Sequence, residues 1–271
     1  MADTVTQLLH ARADDDNLAI TYEGTTWTWR EYIHDAGRMA AAVLGVADRS
    51  RPMHVGTLLG NTPDMLMALA AGALGGYVTV GVNNTRRGEG LAADILRADC
   101  QILLTDAEHR TLLDGLDLPG VSIFDTSTSA WTDLLANAGE LTPHSVPTAT
   151  DTFMLIFTSG TSGNPKPVQF AHMMIPFAGP VLADKYNIGP GDVCYLSMPL
   201  FHSAALMGGY CVALCGGAAI APAKFSASTF LSDIRRYNAT YMNYVGKPLA
   251  YILATPEPVS YTHLRAHETR H

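Results

Sequence analysis

Residues 153–166 read FMLIFTSGTSGNPK. The first five are a continuous apolar run of strand length and β-rich composition, the pattern of a strand buried on both faces. The nine that follow, 158–166, combine hydroxyls, two glycines, a proline and a lysine. Glycine lets backbone N–H groups turn toward a ligand, hydroxyls add short donors, and lysine adds a point charge suited to phosphate. A buried strand ending in such a loop is the composition of a polyphosphate cradle. A Walker A loop needs G-x-x-x-x-G-K-[ST], and here the sixth position after Gly160 is not glycine: Pro165 precedes Lys166, and Pro167 follows it without a hydroxyl or an N–H. The rarity of lysine adds weight, since Lys166, Lys185, Lys224 and Lys247 all lie in the second half and Lys166 comes first.

Outward from that stretch, repeated strand and helix patterns imply an α/β chain. Val5, Leu8 and Leu9 make one face of a short helix, and Glu23-Gly24 separates two strands of a hairpin. Thr28 and Glu31 form a capping box ahead of an amphipathic helix. Strands are expected at 54–59, 77–82, 101–105, 121–124, 153–157, 168–170 and 193–198, and helices at 63–74, 90–98, 107–113, 130–138 and from Met173. Alternation of this length builds largely parallel sheets flanked by helices. Residues 139–150 carry two prolines and little periodicity, so they read as a joint leading into the strand.

Composition narrows the function classes. With 48% hydrophobic and 15% charged residues the 271-residue chain can build a large core, and its net charge of −8 argues against nucleic acid as partner. Cys100, Cys194, Cys211 and Cys215 have no zinc spacing and read as reduced, mostly buried thiols. No secretory signal is read at the start, so a cytoplasmic location is expected. Two charge-free windows, 65–82 and 203–223, reach the length of a membrane span, but each is interrupted by glycine pairs and reads better as helix, turn and buried strand.

A second cluster is Pro199-Leu200-Phe201-His202, at the end of an expected strand and before a small-residue helix at 205–215. Composition alone reads His202 as a satisfied core histidine.

Taken together, Phe157-Thr158-Ser159-Gly160-Thr161-Ser162-Gly163-Asn164-Pro165-Lys166 and the Pro199–His202 run resemble the signatures of adenylate-forming enzymes, the AMP-binding superfamily of acyl-CoA synthetases, luciferases and adenylation domains. The run from Lys224-Phe225-Ser226 through Tyr244-Val245-Gly246 to Tyr251 is similar to the fatty acid transport protein and very-long-chain acyl-CoA synthetase branch, with Asn61, Pro63, Asn83 and Arg86-Arg87 fitting more loosely. The resemblance covers roughly residues 4–256. It implies an incomplete large N-terminal domain over 1–258, ATP phosphates held by Thr158, Ser159, Gly160, Thr161, Ser162, Gly163 and Lys166, and catalytic roles for Lys166 and His202. It also implies an acyl pocket at Phe201, His202, Met207, Gly208 and Gly246, a carboxylic acid as substrate, CoA as co-substrate, Mg2+ held by a residue not in this chain, and possible peripheral association with a membrane.

The family's aromatic-Gly-x-Thr-Glu stretch, its ribose-binding aspartate motif and its small C-terminal domain are not found in these residues, so a fragment with negligible activity alone is expected. A membrane-associated lipid transport protein and a non-catalytic nucleotide-binding remnant stay open as alternatives. The last residues, 259–271, read as a non-native tail, and the H-E-x-x-H at His267 to His271 has no third ligand or packed helix to make it a zinc site.

Overall fold

The computed structural model describes residues 2–158 and 165–255. Helix α1 (Val5–His10) is capped by the Thr4 hydroxyl, and strands β1 (Leu18–Tyr22) and β2 (Thr25–Thr28) form the hairpin. Thr28 then caps α2 (Trp29–Val46): its hydroxyl accepts the Glu31 N–H, and the Glu31 carboxylate accepts the Thr28 N–H at 2.7 Å. Both halves of the expected capping box are present.

Two sheets carry the remaining strands. The first has the order β6 (Ser122–Asp125), β5 (Ile102–Thr105), β3 (His54–Leu58), β4 (Val78–Gly81), β7 (Thr152–Thr158) and β8 (Lys166–Ala171), with only β7 and β8 antiparallel. The second has the order β11 (Tyr241–Met242), β9 (Val193–Leu196), β10 (Ala219–Pro222), β1 and β2, with only the hairpin antiparallel. The apolar 153–157 run is buried throughout, because helices cover both faces of its sheet. Met154 and Ile156 join one core cluster, Leu155 and Phe157 the other.

Helix α3 (Pro63–Gly75) shows where the core sits. Every residue from Met65 to Gly75 is buried, and the cluster it joins includes Val55 and Phe153 of one sheet and Ile20, Leu196 and Ile220 of the other. An all-round apolar helix is stable only with neighbours on every side, and α3 has both sheets and α2. The Tyr32 hydroxyl locks this layer by donating to the Leu66 carbonyl at 2.8 Å while meeting the Tyr210 hydroxyl at 3.2 Å.

The two charge-free windows resolve into helix, turn and strand. In the first, Gly76 ends α3 with φ of 65° and β4 follows; in the second, α7 (Ser203–Ala205), a π turn (Leu206–Tyr210) and α8 (Cys211–Gly216) end at Gly217, φ 75°, before β10. Among the described residues no helix is long and apolar enough to cross a membrane.

Two expectations are corrected. The helix at 107–113 is only a short 3-10 turn, Arg110–Leu113, because the Asp106 carboxylate takes the His109 N–H at 2.9 Å and bends the chain there. The helix at 205–215 is interrupted by the π turn, whose Gly208 and Gly209 lie against Asn243 and Leu196. Helix α4 (Gly88–Arg97), α5 (Ser129–Ala136) and α6 (Met174–Lys185) lie close to the expected positions. The tail at 259–271, with its His267 motif, lies outside the described residues.

Candidate active site

Parallel strands bring their carboxyl ends to one edge, and ligands of α/β sheets bind outside those ends. Here both sheets contribute. Gly60, Asn61 and Thr62 follow β3, Asn84 and Thr85 follow β4, and Glu108 and His109 follow β5. Ser197, Met198 and Pro199 follow β9, and Ala223, Lys224 and Phe225 follow β10; together these segments line a cleft of about 680 Å³. That volume suits a small-molecule substrate.

Asn61 makes the cleft one structure. Its side chain accepts the Leu200 N–H at 3.0 Å and donates to the carbonyls of Met198 at 2.7 Å and Leu196 at 3.1 Å. The end of β3 is thereby fixed to the turn after β9.

That turn carries Phe201 and His202. Phe201 is buried and lines the cleft, and its backbone lies so close to β4 that a Cβ at Gly81 would stand 3.0 Å from Phe201 Cα. The His202 ring lies 4.6 Å from the Phe201 ring, centroid to centroid, half-buried at the start of α7. Burial lowers the His202 pKa, favouring the neutral imidazole. Met207 and Gly208 sit half-buried on the π turn, where the Gly208 carbonyl accepts the Tyr241 hydroxyl at 2.7 Å. Gly246 is exposed at the first residue of the helix Gly246–Ala254, between Val245 and Pro248, which do line the cleft.

The strand β7 ends at the same edge as its parallel neighbour β4. Thr158 and Lys166, both exposed, face each other as the last pair of the antiparallel β7–β8 ladder. Ser159, Gly160, Thr161, Ser162 and Gly163 lie outside the described residues. The stem beside them is anchored: Arg97 donates to the Pro165 carbonyl at 2.8 Å and to the buried Asp94 carboxylate at 3.3 Å, and Arg86 holds the other Asp94 oxygen at 3.0 Å.

Asn61 belongs to the sequence resemblance only loosely, and the roles of Gly81, Asp106 and His109 are not read from the sequence at all. Gly81 stands in a β-rich run that gives no sign of its neighbour, whereas Asp106 and His109 at i and i+3 are a readable turn signal. Among the described residues no three His, Cys, Asp or Glu side chains converge as a metal site.

Comparison with known proteins turns this geometry into a family. The profile of the AMP-binding enzyme family matches residues 9–269. This chain belongs to the AMP-binding enzyme family. It is 46% identical over 258 residues to the medium/long-chain-fatty-acid–CoA ligase FadD17 of Mycobacterium tuberculosis, covering 94% of this chain and 50% of that relative. It is 41% identical over 260 residues to the steroid-22-oyl-CoA synthetase of Rhodococcus jostii, covering 94% of this chain and 46% of the relative. Among solved structures, o-succinylbenzoate CoA synthetase from Bacillus subtilis in complex with its acyl-adenylate intermediate superposes with a TM-score of 0.75 at 26% identity, over 91% of this chain and 50% of that one. The chain spans about half the length of the curated relatives it matches.

Proposed function

We propose that this chain is the carboxylate-activating portion of an ATP-dependent acyl-CoA synthetase for a fatty or other lipophilic acid, of the fatty acid transport protein and very-long-chain branch. In the first step a carboxylate oxygen attacks the α-phosphorus of ATP, an acyl-adenylate forms, and pyrophosphate leaves with the electron pair of the broken P–O bond. In the second, the CoA sulfur attacks the acyl carbonyl carbon, AMP leaves, and the thiol proton is released.

The first step brings an anion to a polyanion, and two unit charges near 4 Å repel by about 4 kcal/mol at an effective dielectric near 20. Donors and a cation preorganised on the departing pyrophosphate offset that. The observation that carries the reading is the last pair of the antiparallel ladder, Thr158 beside Lys166 at a strand end, with a hydroxyl- and glycine-rich stretch between them. In this reading Thr158, Ser159, Gly160, Thr161, Ser162, Gly163 and Lys166 hold the phosphates, and Phe201, His202, Met207, Gly208 and Gly246 shape the acyl side.

The steroid and fatty-acyl relatives support a lipophilic acid, and the run from Lys224 to Tyr251 supports the branch. The adenine- and magnesium-binding stretches of the family are not among these residues, so acyl-CoA formation by this chain alone is negligible in this reading. Binding of a fluorescent ATP analogue tests it. The expected result is saturable binding that Lys166→Ala weakens at least about tenfold, the scale of one or more charge-assisted hydrogen bonds; equal binding by the variant, or none by the parent, sinks the reading.

A further inference from the structure

The amino ends of the central sheet carry a second pocket, at the edge opposite the cleft. His54, Val78 and Thr152 are the first residues of the parallel strands β3, β4 and β7, and with Tyr77, Asp151 and His172 they line a cavity of about 270 Å³. Its roof is the 144–147 part of the joint, and that roof is pinned at both ends. The His144 N–H donates to the Gly75 carbonyl at 2.8 Å, and the Ser145 hydroxyl donates to the Gly76 carbonyl at 2.9 Å. Beyond it, Asp151 Oδ2 accepts the Thr148 N–H at 2.7 Å and the Thr148 hydroxyl at 2.9 Å, while the Met173 N–H donates to the Ala149 carbonyl at 2.9 Å. Gly76 has no room for a Cβ, which would overlap the Ser145 carbonyl. The pocket is therefore preformed, as small-molecule sites are.

Two buried polar groups of this lining make no hydrogen bond. They are the Tyr77 hydroxyl and His172 Nδ1, on residues only 4% and 2% exposed. Native proteins keep few such groups, because each gives up its hydrogen bonds to water without replacement. Two of them on one preformed pocket point to a ligand that completes both. Electrostatics select its sign. Burial lowers the His172 pKa to about 4 against the pull of Asp151, so the ring is neutral at pH 7 and carries one lone pair. The hydrogen bonds from Thr148 lower the Asp151 pKa, so its carboxylate is ionised. Of the other titratable groups, His54 Nδ1 donates to the Ala98 carbonyl at 2.6 Å and His144 is exposed on the roof. Among the described residues no lysine or arginine lines the pocket, and the whole chain carries a net charge of −8.

We propose that this pocket binds a small primary ammonium ion with a short apolar body, its charge beside Asp151 and its N–H groups completing Tyr77 and His172, at a site separate from the activation cleft. A carboxylate ligand would meet the Asp151 charge with no cation to offset it, and a neutral alcohol would leave that charge unanswered. A bare metal ion is disfavoured, because among the described residues no three His, Cys, Asp or Glu side chains converge on one point. Met53 and Val78 supply apolar wall for the body of an organic cation.

NMR titration of the isotope-labelled 271-residue chain with n-butylammonium tests it, with 1-butanol and tetramethylammonium as controls. Saturable shifts are expected at Thr152 and His172. Both controls are expected to bind at least about tenfold more weakly, the first lacking the charge and the second the N–H donors. Asp151→Asn keeps the size of an exposed side chain and is expected to lose about tenfold in n-butylammonium affinity. Tyr77→Phe removes a hydroxyl that has no partner in the protein, so its thermal midpoint is expected not to fall while its amine affinity drops about threefold or more. A hydroxyl with a merely structural role would show the reverse. An ATP analogue is expected to bind without displacing the amine. Absence of amine binding overturns the proposal, as do equal affinities for n-butylammonium and either control, or unchanged affinity in both variants. Displacement of the amine by the ATP analogue would put it in the cleft, and zinc binding that excludes the amine would make the pocket a metal site; either result also overturns it.

Discussion

The side chain of Asn61 holds the backbone of Leu200: its Oδ1 accepts the Leu200 N–H at 3.0 Å while its Nδ2 donates to the carbonyls on either side of Ser197, at Leu196 and Met198. One residue at the end of β3 thus positions the segment carrying Phe201 and His202. Asn61→Ala leaves the buried Leu200 N–H without its acceptor, which costs about 2 to 3 kcal/mol. Urea unfolding is expected to show a lowered midpoint at unchanged slope; a midpoint equal to the parent's would mean the turn is held elsewhere.

Gly81 and Phe201 make the second prediction. A Cβ at Gly81 meets Met154 Cε, which can swing away, and the Phe201 backbone at 3.0 Å, which cannot do so without moving His202. Gly81→Ala is expected to cost about 1 to 3 kcal/mol through overpacking. Thermal unfolding checks the cost, and an unshifted transition would show that the Phe201 segment yields freely.

The Asp94 carboxylate, 1% exposed, is shared by Arg86 and Arg97, and Arg97 also holds Pro165. Asp94→Ala removes a buried partner, which in a fully enclosed pair costs about 3 to 5 kcal/mol, reduced here to about 2 kcal/mol because both guanidinium groups reach solvent. Arg97→Met, by contrast, keeps the Asp94–Arg86 pair and releases only the stem of the loop. Its expected signature is weaker binding of the ATP analogue with little change in the urea midpoint, so a variant that loses stability and keeps affinity contradicts it.

Acid sensitivity should centre on His172. Burial lowers its folded pKa from 6.5 to about 4, against the opposing influence of the Asp151 carboxylate, and its buried Nδ1 has no partner. His54 and His144 line the same small pocket. A base with a depressed folded pKa binds fewer protons folded than unfolded between those values, so stability is full above pH 6.5 and falls as pH drops toward 4. The total loss is on the order of 3 kcal/mol. Stability measured across that window is expected to lose most of its slope in His172→Phe, and an unchanged slope would place the titration on other groups.

What the sequence made legible was local. Thr28 and Glu31 announce a helix start three residues apart, the 153–157 run declares a strand buried on two faces, and Gly76 and Gly217 mark where apolar windows must turn. The cradle is legible for the same reason, because its hydroxyls, glycines and lysine are contiguous. Relationships between distant residues leave no such trace. Nothing near Gly81 tells of Phe201, and nothing near Asn61 tells of Leu200. The 107–113 segment has helical composition, yet Asp106 redirects it by taking the His109 N–H, a competition between side chain and backbone that periodicity does not register. The π turn likewise answers to Asn243 and Tyr241, more than thirty residues downstream.

The pairing of Ile20 with Ile220 has a consequence for biosynthesis. The ribosome delivers the β1–β2 hairpin among the first residues, but its sheet partner arrives only when β10 emerges. The strands from β3 to β8 can pair with one another as they appear, while the hairpin's inner edge stays open until β10 follows. Such a long-range pairing is slow to form and leaves a strand edge available for wrong partners in the interval. Between the completion of β8 and the emergence of β10 the nascent chain carries a finished six-stranded sheet beside an unclaimed hairpin edge, the interval in which a chaperone would matter most.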